Sequence, residues 1–196
     1  MPYFYMHWAM VIQMEKRITA PITKEQIKEL HAGDNVLISG VIYTARDAAH
    51  ERMTRQYKEG IPFPIELEGQ MIYYAGPCPA KPGEVIGSCG PTTAGRMDAY
   101  APMLLDHGLS VMIGKGARNE AVVDAMKRNG ALYLGAIGGA GALIAGAIKE
   151  AEVIAYDDLG TEAIRRLVVE DFPATVLIDC EGNDLYKIGQ AKYKEI

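Results

Sequence analysis

The amino-acid sequence predicts an α/β domain whose sheet is largely parallel or mixed. Three observations carry that expectation. Short β-branched runs alternate with stretches of helical periodicity from Gly90 onward, the pattern of strand–helix crossover units. Glycine and proline punctuate the joints between them. The chain has 196 residues, 49% hydrophobic and 23% charged, enough apolar side chain to bury one sizeable core.

Taken in order, Thr23-Lys-Glu-Gln26 is a capping-box pattern that opens a short helix ending near Gly33. Val36–Ile42 is β-branched and reads as a buried strand. Thr44, with Asp47 three residues on, predicts a capped helix running to about Lys58. Gly60 to Pro91 is rich in Pro and Gly and reads as loop, with one strand signal at Met71–Tyr74. A helix is expected from Thr92–Thr93, then a strand at Leu109–Ile113 and a helix over Arg118–Arg128. A strand at Leu132–Ile137, a helix at Gly141–Glu150 and a strand at Glu152–Tyr156 follow. Thr161–Leu167 reads as a short helix, and Ala174–Asp179 with Leu185–Ile188 as a hairpin across Glu-Gly-Asn-Asp. The irregular strands before Gly90 argue against a plain doubly wound sheet.

Met1–Gln13 is apolar and aromatic, too short to span a bilayer and without the pattern of a signal peptide. It reads as an N-terminal extension, with residues 14–196 as a single domain. The apolar content excludes disorder. A net charge of −5 argues against a nucleic-acid partner, and no segment calls for a membrane. Three cysteines make no disulfide framework in a chain of this length, so a cytoplasmic location is expected.

Ligands of α/β sheets bind beyond the carboxyl ends of the strands, where helix N-termini converge. Three of the four such junctions in this sequence carry a cation: Arg46 after Val36–Ile42, Arg96 after Gly90-Pro-Thr-Thr, and Lys115 after Leu109–Ile113. The fourth is Gly138-Gly139-Ala140-Gly141. First turns of helices favour acidic residues, so cations there suggest a bound anion. Two arginines can each grip a carboxylate, Lys115 adds a point charge, and free N–H groups at the Thr92 and Gly139 turns would add donors. The expected ligand is a small dianion, a dicarboxylate or a phosphate. The other reading is structural, with Arg46 and Arg96 paired to Asp47, Asp98 or Glu51. Thr92 and Thr93 read equally as plain helix caps. His50, four residues after Arg46, shares its helix face and reads as an acid/base, as an orienting residue or as a packed histidine.

Gly139-Ala-Gly141-Ala-Leu-Ile144 follows a strand as a dinucleotide fingerprint would, but Ile144 stands where that motif needs a small residue. Gly114-Lys115-Gly116 lacks the rest of a phosphate-binding loop. Cys78, Cys89 and Cys180 lie in separate contexts with no metal-ligand spacing, so no metal is assigned to this chain.

Thr44-Ala-Arg-Asp-Ala-Ala-His50, Gly90-Pro-Thr-Thr-Ala-Gly-Arg-Met-Asp98 and Tyr133-Leu-Gly-Ala-Ile-Gly-Gly139 resemble the iron–sulfur-dependent class I fumarases. Glu170-Asp-Phe-Pro-Ala174, Asp179 and Gly182-Asn-Asp184 continue the resemblance, which runs from about Lys16 to Tyr186. It is to the C-terminal domain of the long enzymes, a separate β subunit in two-chain members, and it extends to L-tartrate dehydratases and mesaconate hydratases. The resemblance implies a swivelling β/β/α domain, its mixed sheet curled toward a barrel with flanking helices. It implies a hydro-lyase, hydrating fumarate to L-malate in the tricarboxylic acid cycle. A [4Fe–4S] cluster would belong to an α subunit, with the two chains forming a hetero-oligomer such as α2β2. By the same resemblance Arg46, Arg96 and Lys115 bind the substrate carboxylates and Thr92 takes part in proton transfer. Asp47, His50 and Gly139 would support them. A nucleotide-binding module and a non-catalytic interaction subunit are the readings that compete with it.

Overall fold

A computed structural model describes residues 15–194, so the expected extension Met1–Gln13 lies outside the described residues. The strands are β1 (Lys16–Ala20), β2 (Asn35–Thr44), β3 (Met71–Tyr73), β4 (Val111–Gly114), β5 (Leu132–Gly135), β6 (Ile148–Ala155) and β7 (Ile164–Ile178). The helices are α1 (Lys24–Lys28), α2 (Asp47–Lys58), α3 (Ala101–Asp106), α4 (Glu120–Asn129), α5 (Gly141–Gly146) and α6 (Leu185–Tyr193), with 3-10 turns at Ala94–Met97 and Asp157–Glu162.

The sheet order is β1-β2-β3-β4-β5-β7-β6, and an additional β2–β7 pairing closes β2, β3, β4, β5 and β7 into a ring. Strands β2 to β5 are mutually parallel, and β7 runs antiparallel to both β2 and β5. Closure depends on the length of β7. Its residues Arg165–Thr175 pair with β2 on one side, while Ile164–Val169 pair with β6 and Thr175–Ile178 with β5 on the other. The β2–β7 register shifts between Ile38 and Gly40, an irregularity that bends the ladder and helps the sheet curl. Gly40, at φ +111, lets β1 approach, since a Cβ there would stand 2.3 Å from the Ala20 carbonyl oxygen.

Alternation along the central strands sorts the core into two layers. Val111 and Ile113 of β4, Leu132 and Leu134 of β5, and Met71 and Tyr73 of β3 join one cluster with Ile38, Ile42 and Phe172. Met112, Tyr133 and Ile72 point the other way, into a second cluster with Met53, Met97, Leu104 and Met126. Both faces of these parallel strands are covered, which is why they read as unbroken apolar runs.

Several expectations need correction. Thr44 ends β2, and its hydroxyl accepts from the Arg165 N–H at 3.3 Å; the N-cap of α2 is Arg46. The helix expected from Thr92–Thr93 is a 3-10 turn at Ala94–Met97 followed by α3. Helix α5 stops at Gly146 instead of Glu150, because Ile148 onward pairs with β7. Thr161–Leu167 is not a helix: the 3-10 turn ends at Glu162, and the β-branched run after it is drawn into β7 between β2 and β6. The expected hairpin after Ala174 is the end of β7 turning into α6. The Asp179 carboxylate accepts the N–H groups of Glu181 and Asn183, and Asp184 caps α6 through the Tyr186 N–H. At the end of α5 and over Ile164–Leu167, strand pairing overrides local propensity, whereas α6 follows from local capping.

Candidate active site

The carboxyl ends of β2, β3, β4 and β5 converge, and the residues singled out by their sequence position emerge there. Arg46 follows β2 by two residues and caps α2. Its side chain lies flat against Gly76 beyond β3, where a Cβ would come within 3.1 Å of its Cδ and Nη1. Arg96 sits in the 3-10 turn that returns over β3 and β4. The two arginines share one carboxylate: Asp47 Oδ2 accepts from Arg46 Nε at 3.0 Å, and Asp47 Oδ1 is 2.6 Å from Arg96 Nε. Arg96 is half-exposed. Of the three carboxylates weighed as structural partners, Asp47 is the one both arginines use, and Asp98 turns instead to Arg118.

Asp47 keeps its charge in this setting. Burial works to raise its pKa, but its own backbone N–H, the Arg46 hydrogen bond and the charges of Arg96 and Arg46 outweigh that, holding it below the usual carboxylate value. Glu162, from the 3-10 turn before β7, adds a second carboxylate, 3.5 Å from Arg46 Nη2 and accepting the Ala48 N–H at 2.9 Å. Nothing in the sequence near Arg46 announces Glu162, because the two are brought together only by barrel closure.

Thr92 and Lys115 form the other half of this face. The Lys115 N–H donates to the Thr92 carbonyl at 3.3 Å and the Ala94 N–H to the Lys115 carbonyl at 2.8 Å, a short parallel bridge. The Lys115 side chain runs over the turn after β5, close enough that a Cβ on Gly138 would stand 3.7 Å from its Cδ. The next residue, Gly139, is exposed and left-handed at φ +83. The Thr92 N–H is not a free donor, as expected from its turn, but is given to the Tyr74 carbonyl at 2.7 Å. Thr92 is half-buried, and neither it nor Thr93 makes a side-chain cap.

His50 is fully buried, its Nδ1 placed 3.1 Å from the Arg46 carbonyl and its ring edge-on to Tyr74. A carbonyl can only accept, so Nδ1 carries a proton, and burial is what keeps the ring neutral. Burial pushes its pKa down to about 4 against the weaker pull of that hydrogen bond. His50 therefore touches the arginine pair only through the Arg46 backbone carbonyl.

The sequence reading missed Arg118, whose side chain is wholly buried against Asp98, with Nε 2.6 Å from Oδ1. Among the described residues no three His, Cys, Asp or Glu side chains gather as a metal-ligand set. Cys78 is exposed, Cys89 buried and Cys180 half-buried, all three as free thiols. A groove of about 540 Å³ runs between residues 78–88 and α5, and none of Arg46, Thr92, Arg96 or Lys115 lines it. No helix among the described residues is long and apolar enough to cross a membrane.

A closed mixed barrel with flanking helices and cations at the carboxyl ends of its parallel strands defines the class of α/β domain. Residues 6–189 match the family model of the fumarase C-terminus, and the chain belongs to that family. It is 42% identical over 170 residues to fumarate hydratase 2 of Leishmania major, covering 85% of this chain and 30% of that protein. To the aerobic class I fumarate hydratase of Escherichia coli K12 it is 42% identical over 164 residues, covering 83% and 30%. A putative L(+)-tartrate dehydratase subunit beta of Methanocaldococcus jannaschii is 36% identical over 172 residues, covering 85% of this chain and 88% of that subunit. The chain thus spans about 30% of the length of the fumarate hydratases it matches, and most of the β subunit.

Proposed function

We propose that this chain is the β-type component of a two-part hydro-lyase that hydrates fumarate reversibly to L-malate. The observation that carries the reading is the pair of arginines held on one carboxylate at the strand ends of a fumarase C-terminus domain. Asp47 engages each guanidinium at Nε, and in this reading the half-exposed Arg96 keeps its Nη groups for a substrate carboxylate, while Arg46 Nη2 also faces Glu162. Arg46, Arg96 and Lys115 bind the two carboxylates of the dianion, with Asp47, His50 and Gly139 supporting them.

Hydration builds negative charge on one substrate carboxylate as the neighbouring carbon exchanges its proton. Fixed cations stabilise that charge without reorganising at the moment of reaction. The Thr92 hydroxyl is a poor base alone, so its proton passes to a carboxylate of the partner chain. The [4Fe–4S] cluster is assigned to that α-type partner, since this chain's described residues form no site for it. The assembly is a cytoplasmic hetero-oligomer, α2β2 in its simplest form. L-Tartrate dehydration is the second reading, favoured by the β-subunit relative covered along 88% of its length.

The test is anaerobic fumarate hydration, followed by loss of ultraviolet absorbance. It compares this chain alone, the α-type partner with its cluster reconstituted, and the mixture. Activity in the mixture alone is the expected result. Turnover of tartrate or mesaconate but not fumarate keeps the site and changes the substrate. Activity from this chain alone overturns the shared site.

A further inference from the structure

The geometry points to Arg118 as the positioning residue that holds Thr92, Arg96 and Lys115 in register, an assignment that rests on the hydro-lyase reading above. Arg118 lies between β4 and α4, three residues beyond Lys115, with its side chain completely buried. A charge so placed is costly unless its surroundings answer it. Its Nε meets Asp98 Oδ1 at 2.6 Å, Nη1 faces Met112 Sδ at 3.2 Å, and the guanidinium lies 5.5 Å and 5.1 Å from the ring centres of Tyr74 and Tyr133. Nη2 makes no hydrogen bond among the described residues, so the two rings and the Asp98 charge carry the compensation. Arg118 therefore contacts side chains from β4, from β5 and from the residue just beyond β3.

Each of those neighbours holds a different part of the candidate site. The Tyr74 carbonyl receives the Thr92 N–H at 2.7 Å. The Tyr133 hydroxyl donates to the Gly116 carbonyl at 2.9 Å, one residue from Lys115. Asp98 closes the turn that begins at Thr92 and carries Arg96, and its Oδ2 accepts the Asn119 N–H at 2.8 Å. A four-residue 3-10 turn cannot hold its own shape, so the 92–98 segment depends on being pinned at both ends. Its start is stitched to Lys115, and its end is fixed by the Asp98–Arg118 pair. One buried guanidinium sets the spacing between a proton-transfer hydroxyl, a carboxylate-binding arginine and a lysine.

A purely structural ion pair makes a different prediction, because buried pairs can be exchanged for uncharged residues of similar volume without loss of stability. The experiment uses the complex of this chain with its cluster-bearing partner, under anaerobic conditions. It compares wild type, Arg118→Lys and the double variant Asp98→Asn/Arg118→Met, in which the introduced amide oxygen still accepts the Asn119 N–H and no charge is stranded. Thermal melting, fumarate kinetics and inhibition by succinate, which cannot react, are measured on each. The double variant should assemble and melt near wild type, while kcat/KM falls by about tenfold or more and succinate binds more weakly. Arg118→Lys keeps the charge but not the planar fork and should fall between the two. A folded double variant with kcat/KM within about twofold of wild type overturns the positioning role, leaving the pair structural. If the double variant does not fold, the same threshold is applied to Arg118→Lys, and failure of both to fold also assigns the pair to structure alone. A wild-type complex that turns over no dicarboxylate overturns the hydro-lyase reading and this proposal with it, an outcome distinct from an active wild type with an equally active variant.

Discussion

Asp47 accepts from both arginines, which is the ion pairing the sequence offered as one of two readings, while anion binding by the same pair is the proposal. The arginines are paired, and they stand at the strand ends as a ligand site would require. Arg96→Ala should lower kcat/KM of the assembled complex by about 10²–10³, as loss of a group that stabilises developing charge does. Assembly and melting should be unchanged, since the side chain is half-exposed and Asp47 keeps Arg46; normal turnover would remove Arg96 from the site. His50 makes a pH prediction. Its pKa is pushed down to about 4 in the folded chain, from about 6.5 when unfolded. The unfolded chain therefore binds the extra proton first, and the stability the neutral ring contributes is complete above about pH 6.5 and is lost as pH falls toward 4. Between pH 8 and pH 5 that loss is about 2 kcal/mol. Denaturant titrations of His50→Asn should show a pH dependence shallower by that amount, and identical slopes would mean His50 does not carry it. The arginines were legible because a cation in a helix's first turn is unusual. His50 left three readings open, since spacing gives a helix face but not what covers it.

At the scale of elements, local signals succeeded where the structure is local. The capping box at Thr23 and Gln26 is present, with both of its hydrogen bonds. Helix α4 begins with Asn119 accepting the Val122 N–H and ends with left-handed Gly130. Beyond the shifted cap at Thr44 and the 3-10 turn after Thr92–Thr93, the errors fall between Gly141 and Ile188, where β6 and β7 took residues read as helix and α6 took residues read as strand. Strand β7 is pinned on one side by β2, more than 100 residues earlier, and on the other by β6 and β5, information no short window of sequence contains. Gly40 marks where the chain permits this arrangement. Gly40→Ala forces a Cβ toward the Ala20 oxygen in a backbone conformation unfavourable to side chains, and should cost about 2–4 kcal/mol in chemical denaturation. A loss below about 0.5 kcal/mol would mean that β1 yields without cost to the barrel.

For the molecule as a whole, ring closure through β2 and β7 makes those strands the most cross-linked part of the sheet, whereas β6 pairs on one side and carries an exposed face. Native-state hydrogen exchange should be slowest in β2 and the centre of β7 and faster in β6. Equal protection across β6 and β2 would mean that the edge unfolds only with the ring. The closed ring also explains the open character of the candidate site. It brings Arg46 and Lys115, just beyond β2 and β4, to the same end as Thr92 and Arg96 on the long β3–β4 connection, and the proton acceptor and the cluster are proposed to come from a second chain. Closure also brings Glu162 to Arg46, and the packing of the second core layer brings Arg118 to Asp98.

The amino-acid sequence by itself determined the class of fold, the positions of most early elements and the family, because these rest on periodicity, capping and short motifs that are complete within a few residues. Turn signals marked Arg46, Arg96 and Lys115 as cations at helix and strand junctions, and the family motifs added Thr92, which on pattern alone reads as a helix cap. Only the tertiary structure decided that the sheet closes through β7, that Asp47 serves both arginines, that His50 is neutral and buried, and that Arg118 lies beneath the site. Each of these depends on segments far apart in the chain being brought into contact, and the energies involved, burial of a charge and pairing of strands, exist only after that contact is made.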